Sequence, residues 1–214
     1  YISVGFCEYS DITVFSFHPV KIITSGEGGC VLTNCNKIAE KIKILRSHGV
    51  TQNFSDFSNR PSSEIWNYQQ IHLGYNYRMT DIQAALGISQ LSRIDDFLKS
   101  RHRIASNYNN AFRDLPIYIP WQDPNVFSSF HLYPISLRND SKDNNKIYSQ
   151  KEIYKTLLKK GIKVNLHYIP VYLHPYYENI GFKRGYCPQA ERYYKSSLSL
   201  PMYPDLTLKL QNQV

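Results

Sequence analysis

Residues 16–29 of this 214-residue chain read SFHPVKIITSGEGG, and the side chains there that can do chemistry are Lys21 and Ser16. A lysine amine attacks aldehydes to form an imine when a shaped, partly desolvated site keeps it available in the neutral form. Ser16 lies five residues earlier and brings a hydroxyl able to bind a phosphate oxygen. Gly26, Gly28 and Gly29 allow a close backbone approach that side chains would forbid. These residues fit an anion or carbonyl site, and they equally fit an exposed lysine beside an ordinary glycine turn. Type and spacing alone do not choose between the two.

The elements that must hold Lys21 follow from the flanking pattern. DITVFSF (11–17) is β-branched and aromatic and predicts a buried strand, and GGCVLTN (28–34) predicts a second one. Lys21 then sits where a strand gives way to a turn, a common location for function on an α/β scaffold. Ile38, Ile42 and Leu45 recur at helical spacing, predicting a helix opened by Asn34 or Cys35 and closed by Gly49. Residues 50–75 are aperiodic and long for a connection, and Trp66, Tyr68 and Tyr75 predict an ordered, contact-making loop. Thr80 is a good N-cap for the stretch whose apolar stripe is Ile82, Ala85, Leu86, Leu91, Ile94 and Leu98. This predicts one long helix, or two in tandem, bridging a first domain (1–114) and a second (115–214). In the second domain a strand (131–137), a polar loop (139–148), a helix (149–160) and a strand (161–167) predict a small α/β unit.

Composition narrows the function classes. At 42% apolar residues the chain can bury a sizeable core. The net charge of +8 comes from 25 Lys and Arg against 17 Asp and Glu. The basic residues are spread over helix-like stretches (Lys37, Lys41, Lys43, Arg46) with no nucleic-acid module, so they read as solvated faces rather than a nucleic-acid footprint. No apolar run reaches the ~18 residues of a membrane span, and the first residues lack the pattern of a signal peptide. The expectation is a cytoplasmic protein without a membrane partner. Cys7, Cys30, Cys35 and Cys187 form no CxxC pair and have no histidine at zinc-ligand spacing, so free thiols and no metal are expected. The sequons at Asn53 and Asn139 are then chance matches.

The string as a whole says more. SDITVFSFHPVKIITSGEGGCVLTN (10–34) closely resembles the lysine-bearing segment of the DegT/DnrJ/EryC1/StrS aminotransferases, the nucleotide-sugar branch of the fold-type I pyridoxal phosphate enzymes. The resemblance continues in order through LRSHGV (45–50), LGYNYRMTDIQAALGISQL (73–91), HLYPISL (131–137), KGIKVNLHYIPVY (160–172) and SLSLPMYPDL (197–206). It implies an α/β, aspartate aminotransferase-like fold: part of a large cofactor-binding domain, then a small C-terminal α/β domain. It implies pyridoxal 5′-phosphate as cofactor, held by Lys21, which also shuttles protons, with Ser16 on the phosphate. Asn76 matches an asparagine that reaches the phosphate of a neighbouring subunit, implying a homodimer with shared active sites.

His167 and Tyr168 match the segment facing the sugar nucleotide, although a His and a Tyr beside a strand also suit packing. Arg78 suits an anionic substrate group or an intramolecular ion pair. Related sugar dehydratases carry histidine in place of Lys21, so the lysine argues for aminotransfer. The small-molecule partners implied are L-glutamate as amino donor and a keto-sugar nucleotide as acceptor. The FSFHPVK and VNLHYIPVY wording is most like the pseudaminic acid branch, which aminates C4 of a UDP-linked 4-keto-6-deoxy-N-acetylhexosamine. Perosamine, 4-amino-arabinose and spore-coat branches share much of that wording. A non-catalytic binding protein on the same fold is the alternative. Family members are nearly twice as long, and the part preceding residue 1 carries the phosphate loop, the ring-stacking aromatic and the aspartate paired with the pyridine nitrogen. The isolated 214 residues are therefore expected to be inactive.

Overall fold

The computed structural model describes residues 2–58, 63–138 and 149–214, in two compact units, Tyr1–Ile94 and Asp95–Val214. The polar loop expected over 139–148 lies outside the described residues.

In the first unit, β1 (Thr13–Ser16) and β2 (Gly29–Leu32) pair antiparallel with Ser16 opposite Gly29, so the Lys21 loop closes on that pair. The expected burial of β1 does not hold on both faces: Phe15 is half-buried, whereas Val14 is 70% exposed. Helix α1 (Asn36–Leu45) starts from Cys35 and ends at Arg46, short of Gly49. The reason is a competition for carbonyls. Leu45 O and Arg46 O accept from Tyr75 N (2.8 Å) and Tyr77 N (2.9 Å), which draws them out of a continuing helix. Gly49, at φ +70°, then turns the chain into β3 (Val50–Thr51), which pairs with β4 (Gln69–Gln70).

In the stretch 50–75, residues 50–51 thus pair with 69–70, and residues 59–62 lie outside the described residues. Tyr75 stacks on Tyr77 at 4.9 Å, but Trp66 is 77% exposed and does not make the contacts its size predicts. Helix α2 (Asp81–Leu91) opens with a full capping box, in which Thr80 Oγ1 accepts from Gln83 N and Gln83 Oε1 accepts from Thr80 N. The second of the two tandem helices is α3 (Ile94–Ala111).

Helix α3 belongs to the second unit, so the division falls at Ile94/Asp95 rather than 114/115. Its buried face, Arg101, Ile104, Ala105 and Tyr108, packs into that unit's core with Phe130, Tyr133, Ile135, Ile162, Val164, Leu198, Leu200 and Leu206. The sheet is antiparallel, ordered β5 (Ile117–Tyr118), β6 (Tyr133–Leu137), β7 (Ser197–Leu200). The strand expected over 161–167 does not form. Asn165 bridges Ser199 once, but its Oδ1 then accepts from Leu166 N (2.8 Å), and this local bond takes the place of a continuing ladder. Helices α4 (Gln150–Lys159), α5 (Pro175–Asn179), α6 (Pro188–Ser196) and α7 (Leu208–Gln211) complete the unit.

The two units differ in how they are held. Every buried apolar side chain among the described residues lies in the second unit, while the first buries only Ser25, Gly49 and Thr51 among its described residues. Neither α1 nor α2 has a buried residue. In the second unit the least replaceable polar contact is Arg101, 5% exposed, whose Nη1 donates to Phe130 O (3.0 Å), His131 O (3.2 Å) and Met202 O (3.2 Å). Burial lowers its pKa, and no carboxylate pairs with it among the described residues. Arg101→Ala would leave those carbonyls without their donor and open a gap beside Ile104. The expected loss is about 3 kcal/mol in urea unfolding of the second unit; a loss below about 1 kcal/mol would mean that water replaces the guanidinium without cost.

Candidate active site

The Lys21 loop is shaped by its own backbone. Phe17 N donates to Gly28 O (2.8 Å) and Ser25 N to Phe17 O (3.1 Å), which continues the hairpin one step past β1 and β2. Thr24 Oγ1 donates to Phe17 O (2.9 Å) and accepts from Gly26 N (2.9 Å). Ser25, 1% exposed, donates from Oγ to Glu27 O (2.8 Å), and a Cβ on Gly28 would overlap that hydroxyl. A Cβ on Gly29 would come within 2.6 Å of Phe15 O. Gly28 and Gly29 are therefore required by the loop's own packing, whereas a Cβ on Gly26 would meet open space and glycine there serves the φ of +83°.

Within this frame Lys21 N donates to His18 O (2.9 Å), folding residues 18–21 into a tight turn. The lysine is half-buried, and its Nζ has neither hydrogen bond nor ion pair among the described residues. Ser16 is exposed at the end of β1, its Oγ accepting from His18 N (3.3 Å). Glu27 lies 3.8 Å from His18 Nε2. The loop thus offers an uncommitted amine and an accessible hydroxyl on one short excursion between paired strands.

A second cluster sits where residues 45–49 meet 71–77. His48 N donates to Tyr75 O (2.9 Å), Ile71 N to Gly49 O (2.9 Å), and Ser47 bridges Asn76. Gly49 and Gly74 make this crossing possible. A Cβ on Gly49 would overlap His72 O, and one on Gly74 would overlap Gly49 N. Arg78 Nε donates to Asn76 Oδ1 (3.2 Å), and Arg78 Nη2 lies 3.4 Å from His48 Nε2. Of the two options for Arg78, an intramolecular ion pair with a carboxylate is absent among the described residues, where its side-chain partners are Asn76 and His48.

His48 is a residue the sequence did not flag. A lone histidine before a glycine carries no spacing signal, although its place inside the LRSHGV block was a hint. Its φ of +61° is a left-handed conformation uncommon for a side-chain-bearing residue. The backbone bonds on both sides hold it there.

His167 and Tyr168 lie in the second unit. His167 Nδ1 meets Ser199 Oγ at 2.8 Å, Nε2 lies 3.4 Å from Asn165 Nδ2, and the ring packs edge-on against Tyr168 at 4.6 Å. Tyr168 is 68% exposed. Partial burial lowers the pKa of His167 below its ordinary 6.5. An NMR titration should place the His167 midpoint below 6.5. Because the folded value is the lower one, the unfolded chain takes up the proton first. The histidine's contribution to stability is then full above 6.5 and declines as pH falls from there toward the folded midpoint. A midpoint at or above 6.5 would contradict the burial.

Ser16 and Lys21 share one loop, Asn76 and Arg78 share one crossing, and His167 and Tyr168 share one edge of the other unit. Among the described residues no cluster of three or more His, Cys, Asp or Glu is arranged to hold a metal ion, and no helix is long and apolar enough to cross a membrane.

Comparison with known proteins gives these arrangements a context. The chain is 42% identical over 92% of its length to the uncharacterised protein MJ1066 of Methanocaldococcus jannaschii, covering 50% of that protein. It is 37% identical over 94% of its length to the UDP-4-amino-4,6-dideoxy-N-acetyl-beta-L-altrosamine transaminase of Campylobacter jejuni, covering 49% of it. The chain therefore spans about half the length of the curated relatives it matches. Among solved structures, the PLP form of the sugar aminotransferase-type protein Spr1654 from Streptococcus pneumoniae superposes with a TM-score of 0.82 at 29% identity, over 97% of this chain and 50% of that one. Residues 4–214 match the family profile itself, and the chain belongs to the DegT/DnrJ/EryC1/StrS aminotransferase family.

Proposed function

We propose that this chain is the lysine-bearing part of a pyridoxal phosphate-dependent sugar-nucleotide aminotransferase. In that reading L-glutamate gives its amino group to a UDP-linked 4-keto-6-deoxy-N-acetylhexosamine, in the cytoplasm, for pseudaminic acid or a related surface glycan. The observation that carries the reading is Lys21, half-buried on a glycine-shaped loop with an uncommitted Nζ. The PLP form of a structural relative supports the choice of cofactor.

The residues present fit that cofactor at two points. Lys21 suits its aldehyde, and the exposed Ser16 hydroxyl suits its phosphate. A partner for the ring nitrogen does not emerge from the loop, where Glu27 faces His18. Bound pyridoxal phosphate would supply the electron sink and carry the amino group. Lys21 would hold and return the proton at Nζ, its usefulness depending on the neutral amine. Asn76, whose Oδ1 is taken by Arg78, would keep its Nδ2 for a phosphate across a homodimer interface. Arg78 would orient an anionic substrate group. His167, kept neutral by burial, and Tyr168 would face the sugar nucleotide.

The relatives' greater length bears on turnover. Among its described residues the first unit buries no apolar side chain, which suits a segment that packs against further polypeptide. We therefore assign catalysis to a polypeptide of the relatives' length and expect none from these 214 residues alone. The test is transfer of nitrogen-15 from labelled L-glutamate to the UDP-linked keto sugar, read by mass spectrometry of the product. Labelled amino sugar supports the reading. Labelled product from GDP-linked substrates only would move the assignment to a perosamine-type branch, and no transfer to any keto-sugar nucleotide would favour a binding protein on this fold.

A further inference from the structure

His167 is held from two sides. Asn165 and Ser199 face each other across an isolated bridge, Asn165 N donating to Ser199 O (3.2 Å) and Ser199 N to Asn165 O (2.7 Å). Both side chains reach the imidazole: Nδ1 meets the Ser199 hydroxyl at 2.8 Å, and Nε2 meets the Asn165 amide nitrogen at 3.4 Å. Ser199 is buried in β7 between the buried Leu198 and Leu200, where a hydroxyl is costly unless it has a partner. Asn165 is exposed, so the Nδ1 side of the ring is the enclosed one and the Nε2 side is open to solvent.

The position of the ring proton follows from one chain of donors and acceptors. Asn165 Oδ1 accepts from Leu166 N (2.8 Å). That contact fixes the orientation of the amide, because exchanging its oxygen and nitrogen would set an NH2 against an N–H. Asn165 Nδ2 only donates, so His167 Nε2 must accept, the ring proton must sit on Nδ1, and Nδ1 donates to Ser199 Oγ. We infer that Asn165 and Ser199 are positioning residues that lock His167 in its Nδ1–H tautomer and make the open Nε2 a hydrogen-bond acceptor.

The lock determines what His167 can recognise. A ligand must offer Nε2 a donor, a hydroxyl or an amine, and a phosphate or carboxylate oxygen finds no proton there. The 3.4 Å contact is long, so an arriving hydroxyl displaces Asn165 Nδ2 at small cost. The side chains that meet the ring, Ser199, Asn165 and the edge-on Tyr168, are uncharged. Protonating Nε2 would set N–H against N–H, which acts in the same direction as burial and keeps the ring neutral. The lock stands on geometry, while the choice of a sugar hydroxyl as its ligand rests on the function proposed above.

The test is NMR of the 214-residue protein with nitrogen-15-labelled histidine, reading the His167 ring nitrogens at a pH where the ring is neutral. The Nδ1–H form should dominate. Asn165→Asp, at an exposed position, keeps an acceptor for Leu166 N and puts an oxygen where the amide nitrogen was. It should move the proton to Nε2 and raise the His167 midpoint by about one pH unit. Ser199→Ala removes the acceptor of Nδ1–H and should raise the share of the Nε2–H form by at least about threefold. A dominant Nε2–H form in the parent protein, or a tautomer ratio unmoved by both substitutions, would overturn the inference. In a polypeptide of the relatives' length, Asn165→Asp should raise KM for the keto-sugar nucleotide by about fivefold, with kcat less affected. The expected tautomer with KM unmoved would leave the lock standing and remove His167 from the sugar site. Absence of amino transfer in the parent polypeptide would remove the aminotransferase reading and leave the tautomer result as it is.

Discussion

In a polypeptide of the relatives' length, replacing Lys21 with alanine is expected to lower transamination by at least about a thousandfold, within the range for loss of one positioned acid–base group. The loss should exceed what proton transfer alone explains, because the same amine is read as the cofactor's attachment point. The effect should be confined to chemistry. Lys21 Nζ makes no hydrogen bond or ion pair among the described residues, and the turn around it is held by backbone and by Thr24 and Ser25. Unfolding free energy should therefore change by less than about 0.5 kcal/mol. Arginine at this position would keep the charge but not a deprotonatable amine, so Lys21→Arg should be as inactive as alanine. Turnover within tenfold of the parent in either variant would show that Lys21 is an ordinary loop lysine.

The second large effect is expected at Gly74. A Cβ there would overlap Gly49 N and sit 2.6 Å from both Leu45 O and His48 C, all of it backbone that is itself hydrogen-bonded and cannot yield. Gly74→Ala should cost about 3 kcal/mol or more and unpick the crossing of residues 45–49 with 71–77. Amides of His48, Tyr75 and Tyr77 should then lose protection from hydrogen exchange, while those of β6 and β7 in the second unit keep theirs. Asn76 and Arg78 hang from this crossing, so the hydrogen bond between them should be lost with it. Gly87 is the control. Its Cβ would meet only Ser25 Cβ at 3.6 Å, an ordinary contact inside α2, and Gly87→Ala should be neutral or stabilise by up to about 1 kcal/mol. Equal effects at the two glycines would contradict the steric account.

Much of this architecture was legible in the chain because local rules agreed with the global outcome. Thr80 predicts a helix start, and the capping box with Gln83 forms. The β-branched runs on either side of the glycine loop predict a strand pair, and β1 and β2 form one. Legibility failed where a residue's partner is distant or its type misleads. Asn165 looks like an ordinary polar position in a strand, yet its side chain satisfies Leu166 N locally and the third strand of the sheet comes from Ser197–Leu200 instead. Arg101 reads as a solvated charge on a bridging helix. Its burial against carbonyls from residues 130, 131 and 202 is what assigns α3 to the second unit and moves the domain boundary.

The site divides in the same way. Ser16 and Lys21 stand out because both lie on one short loop whose glycines announce it. Asn76 and Arg78 came from the resemblance alone, and the structure adds that they touch each other. His48 was invisible because its partner is thirty positions away and no repeat or spacing marks it.

The most direct test of the central claim is to load a polypeptide of the relatives' length containing this sequence with substoichiometric pyridoxal phosphate, reduce it with borohydride, and map the modified peptide by mass spectrometry. The pyridoxyl mass is expected on Lys21, within the peptide spanning 16–29, and should be lost in Lys21→Ala. A label spread over surface lysines, or absent from Lys21, would contradict that expectation.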